Sequence, residues 1–411
     1  MATVVLVGTL DTKGREYEFL RDRLRDLGME VILVDAGSGG PPLAVPDVDR
    51  AEVAKAGGTT IEALVAAGDR GAAVEAMARG AAAIVTRLHA EGRLQGILGL
   101  GGSGGTSLVT HAMRQLPIGV PKLMVSTMAS GDTRPYVGEV DIAMMYSVVD
   151  IAGINQISRR ILANAAGAIA GMARVSVPAN GDRPLVGITM FGVTTPCATF
   201  ARERLESLGY EVLVFHATGT GGRSMEALIK GGFITACLDA TTTELADELV
   251  GGVLSAGPDR LEAAGALGIP QVVSLGALDM VNFGPMETVP EKFRTRLLYK
   301  HNSTVTLMRT TPEECAELGR IIARKLNAAS GPLTLFIPLK GVSLIATQGQ
   351  PFHDAVADTA LFEALRANLH PAVEVRALDT DINDPVFALA MADALHGLYQ
   401  TWIHGRKEAE A

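Results

Sequence analysis

The sequence predicts an α/β protein: two doubly wound, Rossmann-like lobes with mainly parallel sheets and a ligand cleft between them. Three observations predict it. Short aliphatic, β-branched runs alternate with amphipathic stretches along the whole chain, the element order of layered α/β folds. The runs lack polar alternation, as parallel strands covered on both faces do. Glycine supplies 46 of the 411 residues, above the usual ~7%, which suits many tight strand-to-helix turns.

In the first half the strand-like runs are residues 3–8, 30–35, 96–101, 121–127 and 141–147, with helical stretches at 16–27, 70–92 and 151–173. In the second half the runs are 184–191, 210–217, 236–240, 271–276, 304–309, 332–338 and 372–379, with helical stretches at 196–208, 311–326 and 355–369. A Pro/Gly/Asn cluster at 178–184 (PANGDRP) reads as a boundary. It divides the chain into a nucleotide-binding lobe, 1–180, and a substrate or dimer lobe, 181–411. Residues 4–36 and 185–217 echo each other at an offset of 181, matching for example Arg21 to Arg202 and Gly28 to Gly209. Each half therefore begins with a β-α-β unit.

Composition excludes several classes. The chain is 48% hydrophobic and 20% charged, so it can bury a large core, and at 4% aromatic that core is aliphatic. Net charge is −9 with no Lys/Arg cluster, which argues against nucleic-acid binding. Cys197, Cys237 and Cys315 are widely spaced, so no disulfide framework or zinc ribbon is expected. No apolar run is long enough for a membrane span, and the N-terminus lacks a basic leader, so a soluble, cytoplasmic protein is expected.

The chemistry concentrates in turns after strands. The first turn carries Thr9, Asp11, Thr12 and Lys13 just before a helix. Helix N-termini attract anions, Lys13 adds positive charge, and Asp11 is a candidate magnesium ligand. The third strand runs into Gly99-Leu100-Gly101-Gly102-Ser103-Gly104-Gly105-Thr106, where a GxGxxG and a GxSxG pattern overlap. A phosphate cradle of backbone amides with Ser103 and Thr106 hydroxyls comes first, a Ser103 nucleophile second, a purely structural turn third. The fourth strand ends at Ser130, Gly131 and Asp132. With no Gly-Lys dipeptide in the chain, a Walker-type loop is excluded.

The second lobe repeats the pattern with different residues. Its first turn carries Thr194; its second, His216 followed by Thr218, Gly219, Thr220, Gly221 and Gly222, reads as another anion nest. Glu244 reads equally as a site acid or as part of a helix cap. Asp279, Asn282, His301, Asn302 and Lys340 complete the substrate-side candidates, with His216 and His301 as acid/base groups.

GTLDTKGRE (8–16), GLGGSGGT (99–106), STMASGD (126–132), YSVVDIAGIN (146–155), GITMFGVTTP (187–196), DATTTELADELVGG (239–252), HNSTVTLMRTTPEE (301–314) and FIPLKGVSL (336–344) occur in order. Together they resemble the family of the ATP-binding N-terminal region of the tomato mosaic virus resistance (Tm-type) protein and its bacterial relatives. The resemblance runs from Val4 to about Gly397. It implies two Rossmann-like subdomains, ATP with Mg2+ bound between them, and a homodimer. It also implies ATP contacts at Thr9, Asp11, Thr12 and Lys13, at Gly101 to Thr106, and at Ser130 to Asp132.

The function expected is ATP-dependent phosphoryl or adenylyl transfer to a small polar metabolite. Lys13 neutralises phosphate charge, Asp11 or Asp132 holds magnesium, and His216 or His301 serves as acid/base. Two alternatives stand beside it: a hydrolase or lyase using Ser103 or His301, and a non-catalytic ATP-dependent binding dimer.

Overall fold

Six consecutive buried residues make β1 (Thr3–Gly8), and the reason is topological, since a strand paired on both edges and covered on both faces favours apolar side chains. The computed structural model describes residues 2–176 and 183–410, so most of the 178–184 cluster lies outside the described residues. The chain forms two compact units, Met1–Ala179 and Asn180–Ala411.

In the first unit β1 is followed by β2 (Glu30–Asp35), β3 (Gly96–Gly101), β4 (Lys122–Ser126) and β5 (Ile142–Tyr146). They form one sheet in the order β2-β1-β3-β4-β5, with every neighbouring pair parallel. The helices are α1 (Leu10–Asp26), α2 (Arg50–Ala56), α3 (Ile61–Ala67), α4 (Arg70–Ala90), α5 (Ser103–Met113), α6 (Arg134–Val137) and α7 (Gln156–Met172). Val5, Val7 and Ile97 share a core with α4 and α5, whereas Val4, Leu6 and Leu98 share another with α1 and α7. Alternate residues of each strand thus face helices on opposite sides of the sheet.

Helix α1 begins six residues before the helical stretch read from the sequence. Asp35 Oδ1 accepts from Leu10 N at 3.1 Å, and Lys13 sits at a kink with φ −126°. The Thr-Leu-Asp-Thr-Lys turn is therefore the first turn of the helix itself.

The second unit contains β6 (Leu185–Met190), β7 (Glu211–His216), β8 (Ala236–Thr241), β9 (Gln271–Gly276), β10 (Met280–Phe283), β11 (Leu298–Lys300), β12 (Thr306–Arg309), β13 (Leu333–Pro338) and β14 (Glu374–Leu378). A six-stranded parallel sheet runs β14-β13-β9-β8-β6-β7, and a separate antiparallel sheet runs β10-β12-β11. Its helices are α8 (Thr195–Ser207), α9 (Thr220–Lys230), α10 (Thr243–Val250), α11 (Ala263–Leu267), α12 (Pro312–Asn327), α13 (Ala355–Asn368) and α14 (Pro385–Glu410). The sequence reading omits β10 and β11, which are four and three residues long and too short to show a period. The echoed β-α-β units pair similarly, though one residue out of step: Val4 faces Val31, while Val186 faces Val212. Among the described residues no helix is long and apolar enough to cross a membrane. All three cysteines are buried and free.

Two buried carboxyls give the second unit a pH dependence. Burial pushes Asp247 up to about 7 and Asp279 up to about 6, the latter against the charge of Arg309. Both are raised in the folded state, so from about pH 4 upward the folded chain holds protons that the unfolded chain has released. Stability from these groups is present at low pH and declines as pH rises through 7. Asp247→Asn is expected to flatten that decline, which for one such group runs to about 1.4 kcal/mol per pH unit. Urea midpoints measured from pH 5 to pH 8 check it, and a variant with the wild-type slope would refute it.

Candidate functional site

The strand order of the first sheet reverses between β1 and β3, and open α/β sheets bind ligands outside the carboxyl ends of the strands at such a point. Tyr17, fully buried on α1, shapes this one. Its hydroxyl donates to Val7 O and accepts from Leu100 N at 2.9 Å, just beyond the last β1–β3 pair, Val7 and Gly99. A side chain at Gly8 would collide with the Tyr17 ring, its Cβ lying 2.0 Å from the hydroxyl. The tyrosine thus takes over the ladder's hydrogen bonds where the two turns diverge.

Beyond it lies a cavity of about 760 Å³. Thr9, Asp11, Thr12 and Lys13 line it from the first turn, Gly101, Gly102, Ser103, Gly104 and Gly105 from the third, and α3, α4 and Asp150 from the remaining sides. Helices α1, α4 and α5 all begin at its wall. Helix α5 has no side-chain cap, because Gly102 precedes it. The amides of its first turn are left for an anion, favoured also by the helix dipole. The half-buried Lys13 ammonium donates to Ile151 O, which ties it to the cavity wall. Thr9 and Thr12 share a hydroxyl–hydroxyl bond of 2.9 Å.

Two carboxylates stand at the first turn, Asp11 on the cavity wall and Asp35 buried and outside the lining. Asp11 Oδ2 accepts from Gly39 N at 2.8 Å, and its Oδ1 is buried without a partner. Asp35 Oδ1 accepts from Leu10 N and Gly37 N, and its Oδ2 is likewise buried and unpartnered. A Cβ on Gly37 would lie 2.8 Å from Asp11 Oδ1 and 3.0 Å from Asp35 Oδ1, so both carboxylates crowd the same small volume. Burial, with a smaller contribution from the Asp11 charge, raises the pKa of Asp35. Among the described residues no three His, Cys, Asp or Glu side chains group to hold a metal. Two carboxylates, however, are what Mg2+ takes from a protein when phosphate oxygens and water complete its shell.

The first and third turns meet as one site, and Thr106 stands behind it. Thr106 is fully buried with its Oγ 2.6 Å from Ser126 Oγ, so it braces the turn and offers no hydroxyl to a ligand. Ser130, Gly131 and Asp132 do not line the cavity. Asp132 is exposed, and Arg134 bonds both of its oxygens at 2.9 and 2.8 Å. Ser103 is exposed, and among the described residues its Oγ is bonded to no histidine or carboxylate, so no base activates it as a nucleophile.

In the second unit the expected anion nest is already filled. Gly219 N and Gly222 N both donate to Glu244 Oε1, at 2.7 and 3.0 Å, and Glu244 Oε2 accepts from Arg260 at 2.6 Å. The amides of Gly219 and Gly222 are thus already engaged within the chain. Gly221 packs against the end of β7, where a Cβ would meet His216 O at 2.0 Å, and Thr218 Oγ donates to the same oxygen. Thr194 is buried with its Oγ 2.8 Å from Thr241 Oγ. Asp279 and Asn282 are also buried, bonded to Ser343 and Asp247 respectively, which makes both parts of the core. Thr220, His216, His301, Asn302 and Lys340 are exposed; Lys340 pairs with Asp379, Asn302 with Thr304, and the His216 ring lies 5.4 Å from that of Phe191.

Sequence reading missed Asp35, Ser38, Gly39, Asp69, Arg70 and Asp150. A carboxylate ending the second strand (VILVD) was the visible signal for Asp35. Asp69 caps α4 by accepting from Ala72 N, a role that does not by itself mark a binding residue.

The model described as "Uncharacterised protein family (UPF0261) N-terminal domain" matches residues 2–178, and that of the C-terminal domain matches residues 183–399. A UPF0261 protein of Clostridium tetani is 56% identical over 394 residues, covering 95% of this chain and 98% of its own length. The ToMV resistance protein Tm-1(GCR237) of Solanum lycopersicum is 42% identical over 416 residues, covering 95% of this chain and 55% of the plant protein. A solved Streptomyces glycosyltransferase, SsfS6, complexed with thymidine diphosphate, aligns over 97% of this chain and 96% of its own at 12% identity and a TM-score of 0.19. A likeness that slight carries no argument.

Proposed function

We propose, from the premise that the chain belongs to the UPF0261 family through both of its halves, that it binds ATP with Mg2+ at the carboxyl ends of β1 and β3. The observation that carries this reading is the convergence of three helix N-termini and the Lys13 ammonium on one cavity at the sheet's reversal point, with Asp11 on its wall and Asp35 buried beside Asp11. The uncapped α5 amides and Lys13 would receive the phosphates. Asp11 and Asp35 would hold the Mg2+, whose chemistry there is to neutralise phosphate charge. Asp132, forked by Arg134, does not fit that role.

The reaction this arrangement suits best is phosphoryl or adenylyl transfer to a small polar metabolite by a homodimeric enzyme. Such transfer depends mostly on positioning and charge neutralisation, and those are what the first-unit turns supply.

Calorimetric titration of the full-length protein with a non-hydrolysable ATP analogue tests the reading. Saturable binding is expected, at least about tenfold tighter with Mg2+ than in EDTA. Absence of binding in Mg2+ would overturn the proposal.

A further inference from the structure

The cavity's lining is chemically mixed: beside its polar turns, Leu64 and Val65 of α3, Val74 of α4 and Leu108 of α5 contribute apolar wall. The cavity's volume of about 760 Å³ falls among sites for whole small molecules, ~300–1,000 Å³, and exceeds what a phosphate chain alone would fill. Helix α3 is an unusual part of that wall. None of its residues is fully buried; Ile61 and Leu64 touch the neighbouring core, while Val65 is left 61% exposed. It is bracketed by Gly58 and Gly68, with φ of +81° and +64°. Nothing lies within 4 Å of a Cβ at either glycine, so conformation and not space asks for glycine there. A short, lightly packed helix between two such joints can shift with little loss of packing.

We infer that Leu64, Val65 and Val74 form a nucleoside subsite, with α3 as the element that closes on the base and so selects nucleotides over inorganic polyphosphates. The inference rests on the nucleotide reading above and adds to it the specificity element. None of these side chains carries a polar atom, so a ring seated there is held by contact, and the apolar surface it covers supplies the preference. Val65, exposed now, is covered when a base is present.

The test uses the full-length protein with Mg2+ and two probes, a non-hydrolysable ATP analogue and inorganic tripolyphosphate. The wild type is expected to bind the nucleotide at least about tenfold more tightly than tripolyphosphate. Val65→Asn, a neutral change at an exposed position, is expected to weaken nucleotide binding about fivefold to tenfold and tripolyphosphate binding less than about twofold. Leu64→Asn should do the same, with thermal melts confirming that both variants are folded. Equal affinity of the wild type for the two probes, an equal loss for both in the variants, or no loss for the nucleotide would overturn the subsite while leaving the phosphate cradle standing. Failure of the wild type to bind either probe would instead overturn the nucleotide reading, and the subsite with it.

Discussion

Arg260→Leu is expected to destabilise the protein by about 3–5 kcal/mol, the cost of breaking a buried ion network from one side. Arg260 is fully buried on a segment between α10 and α11. Its guanidinium forks Asp239 at 2.5 and 2.6 Å, meets Glu244 at 2.6 Å and approaches Glu226 at 3.4 Å. Burial works against its charge, yet the three carboxylates outweigh burial and raise its pKa above the ordinary value. Leucine fills part of the space but leaves three buried carboxylates without their cation. Each also holds something else: Glu226 accepts from Leu261 N and Ala263 N, Asp239 from Thr189, and Glu244 from two glycine amides. The loss should therefore appear as one large drop in the urea midpoint. A change under about 1 kcal/mol would show that the network is not what joins α9, β8 and α10.

Lys13→Ala is expected to weaken binding of the ATP analogue about 100-fold, the upper range for one charge-assisted hydrogen bond to an anion. Two effects add. The cavity loses a half-buried positive charge, and Ile151 O loses the donor that fixes the adjoining Asp150 wall. Asp132→Ala is the matched control: its carboxylate is exposed and committed to Arg134, so binding should be unchanged. Titration of the three proteins decides the matter. Loss in both variants, or in the Asp132 variant alone, would restore the SGD turn to the site and displace the assignment made above.

Much of the fold was legible because parallel strands leave a plain signature. β1 and β3 are buried at every position and read as almost unbroken apolar runs that end in glycine-rich turns. The sequence reading groups the first turn, the third turn and the Ser130–Asp132 turn as one site, since polar residues after such a strand have few places to go but its carboxyl end, and the first two of these line one cavity. The rest depends on contacts far apart in sequence. Glu244 looked equally like a site acid and part of a helix cap; only folding brings it to Gly219 and Gly222, 25 and 22 positions away. Asp35 gains its meaning from Gly37 lacking a Cβ beside Asp11, which no pattern of hydropathy encodes. Helix α3 is too short, at seven residues, for its exposed valine to stand out from a turn.

The two anion nests differ in how they are filled. In the second unit Glu244 is part of the chain it binds to, so its carboxylate arrives at a fixed effective concentration that no dilution lowers. That nest is occupied in every folded molecule, whatever the solution contains. Among the described residues the first-unit nest at α5 has no such tethered occupant, so on the proposed reading its anion would come from the surroundings. Its occupancy would then rise and fall with ligand concentration, and with it the stability of the turns that line it. Of the two nests, one is a constitutive joint and the other, on the proposed reading, a gauge.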